Sequence, residues 1–124
     1  MKNLLIIISV IILLISFGCK KSESIQENVM FYPNSFTPNG DGLNDVWGPR
    51  GVGINGNKYL MRIFNKKDKL LFETNKFYYN FHENGWDGEV NGEPCPVDYY
   101  YYVVKYETTD GVKHKDEGMF QLIM

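Results

Sequence analysis

The tyrosine-rich segment at residues 98–107 constrains the fold more than any other part of the sequence. Aromatic and β-branched residues dominate it, and both types are enriched in β-strands. Large side chains at odd and even positions predict a central strand, buried on one face and covered by aromatic rings on the other. The pair Asp110-Gly111 is a strong signal for a two-residue hairpin, so residues 112–124 are predicted to return as the last strand. One face of that strand carries Phe120, Leu122 and Met124.

Four further segments are predicted as strands: residues 29–36, 58–65, 70–73 and 76–81. The alternation of a half-buried strand is clearest at 58–65, and 70–73 is predicted as its hairpin partner. Pro33 interrupts the first of them, which predicts an edge strand or a bulge there. Aromatic residues make up 15% of the chain and alanine is absent, which disfavours a helical bundle. The sequence therefore predicts an all-β fold, an immunoglobulin-like antiparallel β-sandwich of about seven strands.

Residues 36–45 form a glycine-rich loop that is unusually rich in side-chain oxygens. Pro38, Gly40 and Gly42 turn the chain, and glycine allows a positive φ without steric penalty. One interpretation is a calcium site, because Ca²⁺ takes six to eight oxygen ligands on a loop turned by glycine. The other is a set of turns in which each side chain binds its own backbone. The candidate calcium ligands are Asn39, Asp41, Asn44 and Asp45, with Asp87 from a second turn.

That second turn is Trp86-Asp87-Gly88. Trp86 is predicted to pack on the end of the sandwich, with Asp87 capping the turn and Gly88 completing it. Trp47 is expected to fold back over the core. Cys95 lies between two prolines, and a small buried filler is favoured there over a reactive thiol.

The N-terminus reads as a separate segment. Residues 4–15 are apolar except for one serine, the length of a signal-peptide core and short for a membrane span. Gly18 and Cys19 follow, resembling the lipobox of bacterial lipoproteins, in which the cysteine is lipidated. We therefore expect a lipoprotein signal peptide at 1–18, a polar tether at 19–28 after lipidated Cys19, and a domain at 29–124. Ordinary signal cleavage and a retained anchor are the alternatives.

Charge and motifs exclude several functions. The net charge of −2 gives no basic surface for nucleic acid. His82 and His114 are far apart and lack partners at zinc spacing. No phosphate-binding loop or nucleophile elbow is present, so an enzyme is not predicted.

Several motifs, in order, resemble the gliding motility-associated C-terminal domain, the type B sorting domain of the type IX secretion system. The resemblance covers about residues 30–124. It is carried by the 33–45 segment, Met61-Arg62-Ile63-Phe64-Asn65, Leu71-Phe72-Glu73-Thr74, Gly85-Trp86-Asp87-Gly88, Asn91-Gly92, Pro94, Pro96, the tyrosine strand and Asp110-Gly111.

The resemblance implies a non-enzymatic β-sandwich that the secretion machinery reads as an address at the outer membrane. Together with the lipobox, it predicts a short, stand-alone, non-enzymatic lipoprotein of the cell envelope that its lipid holds at the outer membrane. The last strand would offer backbone groups to that machinery or to another envelope protein. The alternatives are a surface module that binds glycan or protein through its aromatic face, with Tyr100 or Tyr102 in contact, and a structural remnant.

Overall fold

The computed structural model describes residues 30–77 and 84–124, and within them it contains nine β-strands and no helix. Four strands are five residues or longer and five are two-residue segments. The strands are β1 (Met30–Phe31), β2 (Ser35–Phe36), β3 (Arg50–Gly51), β4 (Ile54–Phe64), β5 (Leu70–Thr74), β6 (Glu89–Val90), β7 (Glu93–Pro94), β8 (Asp98–Thr108) and β9 (Lys113–Leu122).

The main sheet has five strands in the order β2-β9-β8-β4-β5. The tyrosine strand β8 lies at its centre and pairs with β9 from Asp98↔Leu122 to Glu107↔Lys113. The predicted pairing of the tyrosine strand with the last strand is therefore confirmed. The turn is longer than the two residues predicted: the Thr108 amide donates to the Val112 carbonyl at 2.9 Å, which leaves residues 109–111 as the loop, and the Gly111 amide donates to the Thr108 carbonyl at 2.8 Å. All pairings in the sheet are antiparallel except β2 with β9, which is parallel.

The predicted first strand is divided between two sheets. β1 pairs with β3, whereas β2 joins the edge of the main sheet. Pro33 lies between them and has no amide hydrogen to continue a ladder, so the chain changes sheets at this point. The described residues therefore contain nine strands rather than about seven: the first strand is divided, and β3 and the short β6–β7 ribbon are additional. The all-β sandwich class is confirmed, and the immunoglobulin-like arrangement of its strands stays a prediction.

The core lies on one face of the main sheet, which we call the inner face. On β8 the even-numbered residues point into it: Tyr100, Tyr102, Val104 and Tyr106 are all buried. Trp47 and Trp86, which lie outside the main sheet, pack against that face beside Phe36 of the edge strand β2, and Trp47 stacks on Phe120 with ring centroids 3.9 Å apart. The expectation that Trp47 folds over the core is confirmed.

The prediction that Tyr100 or Tyr102 would contact a ligand is wrong, because both rings are part of this core. The strand alternates strictly, so the exposed rings are those of Tyr99 and Tyr101, at 46% and 43%. Met124 is also misplaced in the prediction: β9 ends at Leu122, and Met124 is 82% exposed.

Several predictions lie outside the described residues. They concern the signal peptide at 1–18, Cys19, the tether at 19–28, His82, and the greater part of the strand predicted at 76–81. Within the two described ranges, no helix is long and apolar enough to span a bilayer.

Candidate functional site: the motif end of the sandwich

The 36–45 loop is folded around the carboxylate of Asp45. One of its oxygens accepts the backbone N–H groups of Asn39 at 3.0 Å and Gly40 at 2.7 Å, and the other accepts that of Gly42 at 2.7 Å. The φ angles of Gly40 and Gly42 are 78° and 84°, in the region that favours glycine. These conformations turn successive amides toward one point, which forms a small anion-binding concavity.

The other polar side chains of the loop also close local turns. Asn39 Oδ1 accepts the amide of Asp41 at 3.0 Å, and Asp41 Oδ1 accepts that of Leu43 at 2.8 Å. Asn44 acts through its backbone: its φ is 56°, and its carbonyl accepts the Thr37 amide at 2.8 Å. In the second turn, Asp87 Oδ1 accepts the amide of Glu89 at 3.0 Å. The predicted capping role of Asp87 is observed.

Calcium binding at this loop stays a prediction. The hydrogen bonds above use oxygens of Asn39, Asp41, Asp45 and Asp87 to accept backbone amides, so a cation would compete with those donors. Within residues 30–77 and 84–124, no group of three or more His, Cys, Asp or Glu side chains is arranged to hold a metal ion.

Trp47, which follows the loop, pairs with Trp86 and so connects the loop to the second turn. The amide of each donates to the carbonyl of the other at 2.8 Å, and both side chains are fully buried. Their indole N–H groups are also satisfied, by the carbonyls of Pro33 at 2.8 Å and Glu89 at 2.9 Å. Buried indoles stabilise a core only when that polar atom has a partner. The predicted packing of Trp86 is therefore confirmed.

Gly88 shows how closely the motifs meet. A Cβ atom at this position would lie 3.1 Å from Pro38 Cγ, 3.1 Å from Leu122 Cδ1 and 3.4 Å from Phe36 Cζ. The loop, the Trp86 turn and the end of the C-terminal strand therefore converge. We call this region, residues 36–47, 85–88 and 120–122, the motif end.

The C-terminal strand β9 is held at the motif end by β2. The amides of Gln121 and Ile123 donate to the carbonyls of Asn34 and Phe36 at 2.9 and 3.0 Å. Alternate residues of a strand direct their backbone groups to the same edge, so residues 115, 117 and 119 face the same side as Gln121. In the described part of the chain no strand pairs with β9 on that side before Gln121.

The segment between β1 and β2 also contacts β9, through a side-chain cluster around Tyr32. Tyr32 Oη donates to Asp116 Oδ2 at 2.7 Å, and Tyr106 Oη donates to the same oxygen at 3.2 Å. The Tyr32 ring stacks on Tyr102 with centroids 4.6 Å apart. Burial raises the pKa of Tyr32, and the Asp116 carboxylate raises it further. Tyr32 therefore remains a neutral donor across a wide pH range.

Cys95 lies next to the Trp86 turn, in a region otherwise made of hydrogen-bonded turns and packed aromatic rings. Cys95 is half-buried, and its amide donates to the Gly88 carbonyl at 2.8 Å. Burial raises the pKa of its thiol, with the nearby Asp87 and Glu89 carboxylates adding to the effect. A raised pKa disfavours the reactive thiolate, which accords with the expected filler role.

Comparison with known protein families gives a match over nearly the whole of the described chain. The model of the CHU_C type IX secretion signal domain family matches residues 30–122. The chain belongs to this family. Membership of the CHU_C family gives it a sorting-domain role at the cell envelope, in a family of secretion signals rather than of enzymes. Among curated proteins, none matches the chain.

Sequence reasoning missed three positions that the CHU_C domain needs for its structure. Tyr32 and Asp116 are 84 residues apart, so no local pattern relates them. Gly118 pairs with Tyr102 across β8 and β9, and a Cβ there would lie 2.5 Å from the Tyr102 hydroxyl. An isolated glycine within a strand pattern does signal a close approach, and that signal was available in the sequence.

Proposed function

We propose that this chain is a lipid-anchored envelope protein whose CHU_C domain is recognised as a folded unit by the type IX secretion machinery. The family match supports the sorting role. The lipobox-like sequence ending at Cys19 supports the anchor and an outer-membrane location. In this proposal the domain is a recognition module without catalysis, and its partners are the machinery or another envelope protein.

Two buried side chains of the C-terminal strand support the proposal that the machinery recognises a folded surface. Phe120 and Leu122 are 1% and 2% exposed, and both belong to the core. An extended, unfolded tail would present these side chains, whereas the native domain hides them. The machinery would therefore read the motif end, or the β9 edge at residues 115–119, after folding.

A fusion experiment tests the sorting role. Residues 29–124 contain the whole described core, so they are appended to a reporter that carries its own signal peptide, in a host with type IX secretion. We expect the reporter to leave the periplasm, and to remain there when the secretion system is disabled. A reporter that remains in the periplasm of the competent host contradicts the proposal.

Two substitutions near the C-terminus distinguish recognition of the folded domain from recognition of the C-terminal sequence alone. Leu122→Asp places a charge in the core and is expected to abolish export together with the fold. Met124→Asp makes the same chemical change on an exposed side chain and is expected to preserve both. Equal export of the two variants would show that the machinery reads an unfolded tail instead.

Metabolic labelling with a fatty acid, compared with Cys19→Ser, tests the anchor separately.

A further inference from the structure

The outer face of the main sheet carries a continuous row of apolar side chains across four strands. Leu70 pairs with Phe64, Phe64 with Tyr101, and Tyr101 with Met119, each directly across the sheet. Leu70, Tyr101 and Met119 are between 43% and 59% exposed. We call these four residues the apolar row. They lie on the face opposite the core, and no described element covers them.

Three residues of the apolar row, Phe64, Tyr101 and Met119, line a groove of about 540 Å³, and Asp68 and Glu117 line it as well. Ion pairs lie on both sides of the row along the strands. Arg62 Nε is 2.5 Å from Glu73 Oε2 on one side, and Lys66 Nζ is 2.6 Å from Asp98 Oδ1 on the other. An apolar centre with a polar rim is the usual composition of a protein-binding surface.

A pair of lysines lies farther along the same face. Lys105 is directly opposite Lys115 on the neighbouring strand, and both are exposed. Like charges in directly opposed positions destabilise a sheet. The ion pair of Lys115 with Glu117 at 2.5 Å is exposed, so it offsets little of that repulsion. The lysine pair is four residues from the apolar row, or about 13 Å at the rise of a strand.

From this arrangement we infer that the outer face is a docking surface for an acidic, apolar protein segment. Its apolar side chains occupy the apolar row, and its carboxylates neutralise the lysine pair. The chemistry favours protein over a lipid bilayer, because the row lies between ion pairs and beside two carboxylates that would have to leave water. The inference deepens the proposed sorting function and rests on it, since the segment belongs to the machinery that reads the domain.

Site-specific photo-cross-linking in the full chain tests the inference. A photoreactive phenylalanine analogue replaces Tyr101 in the apolar row, and in a control it replaces Leu43, which is 69% exposed on the motif-end loop. The cross-linked partner segment is then sequenced by mass spectrometry. The expected result is a protein segment in which acidic and apolar residues are interspersed, captured from position 101 and not from position 43.

Charge reversal adds a second measurement on the same cross-link. Lys105→Glu is expected to lower the yield from position 101 by about tenfold, because the new carboxylate would repel the carboxylates of the acidic segment. Lys76→Glu, an exposed change at the start of the segment after β5, is expected to leave the yield unchanged.

The outcomes separate this inference from the sorting role. If the fusion reporter is exported but position 101 gives no more cross-link than position 43, the docking surface is wrong and sorting stands. A lipid adduct at position 101, or a basic partner segment, also overturns the inference. If the reporter is not exported, sorting fails whatever the cross-link shows.

Discussion

At the scale of single residues, the motif end depends on side chains that organise backbone rather than bind a ligand. Asp45 accepts three loop amides, and hydrogen bonds to a charged acceptor are stronger than neutral ones. Position 85 has no room for a side chain, because a Cβ on Gly85 would lie 2.6 Å from the carbonyl oxygen of Trp47. That carbonyl accepts the Trp86 amide, so the contact protects the backbone pair between the two tryptophans.

Asp45→Ala should lower the free energy of unfolding by about 1.5–3 kcal/mol, because three amides lose a charged acceptor on an exposed loop. Asp41→Ala is the matched control, since Asp41 accepts a single amide, that of Leu43; its cost should be about 0.5–1 kcal/mol. Urea denaturation measures both values. Repeating the measurement with added calcium tests the metal prediction, because binding to the native loop would raise stability. Equal costs for the two variants would contradict the organising role of Asp45.

At the scale of elements, the C-terminal strand connects the main sheet, the core and the N-terminal part of the domain. β9 pairs with β8 along its length and with β2 at its end. It supplies Phe120 and Leu122 to the core and Asp116 to the tyrosine cluster. The N-terminal strand changes sheets at Pro33 and follows β9 in parallel, so the two ends of the domain stabilise each other.

Deletion of residues 113–124 should therefore unfold the domain rather than remove a detachable tail. The expected result is loss of near-ultraviolet circular dichroism and of dispersed amide signals in nuclear magnetic resonance spectra. Deletion of Met124 alone removes an exposed residue beyond β9 and should leave both signals intact. A folded product from the long deletion would show that β9 is dispensable for the core. It follows that loss of sorting after the long deletion cannot identify a binding role for the strand.

At the scale of the whole molecule, tyrosines form an unusual share of the core. Burial raises the pKa of Tyr100 and of Tyr106 to about 12, with smaller contributions from Cys95 and from Asp116 respectively. Burial also raises the pKa of Tyr32, Tyr59 and Tyr102. The native state therefore holds these phenolic protons at pH values where the unfolded chain releases them.

The sign of the pH dependence follows from linkage. Below a pH of about 10 the tyrosines are protonated in both states, and their stabilising contribution is fully present. Above that pH the unfolded state binds fewer protons, so stability falls by up to about 1.4 kcal/mol per pH unit for each such tyrosine. Urea denaturation between pH 9 and pH 11.5 measures the slope. The double variant Tyr32→Phe/Tyr106→Phe should make the slope shallower, and an unchanged slope would contradict this assignment.

The local pattern was sufficient for the long strands β4, β5, β8 and β9 and for the position of the glycine-rich loop, but not for the two-residue strands. Alternation at residues 98–107, the Asp110-Gly111 pair and the loop glycines predicted the hairpin and the 36–45 loop correctly. The alternation of a strand also predicts that the odd-numbered and even-numbered tyrosines of residues 98–107 face opposite sides of the sheet. It does not predict which of the two sides faces the core. That choice depends on which face Trp47 and Trp86 cover, and both come from distant parts of the chain.

The all-β class, the main hairpin and the family could be predicted from the amino-acid order, because each depends on residues that are near neighbours or on the order of short motifs. Three relations could not be predicted in this way: Tyr101 is exposed and Tyr102 buried, Asp45 accepts three amides, and Tyr32 donates to Asp116. Side-chain burial and the partners of polar atoms depend on the segments that pack against them. In this fold several of those segments are far apart in the chain, so no local pattern encodes the outcome.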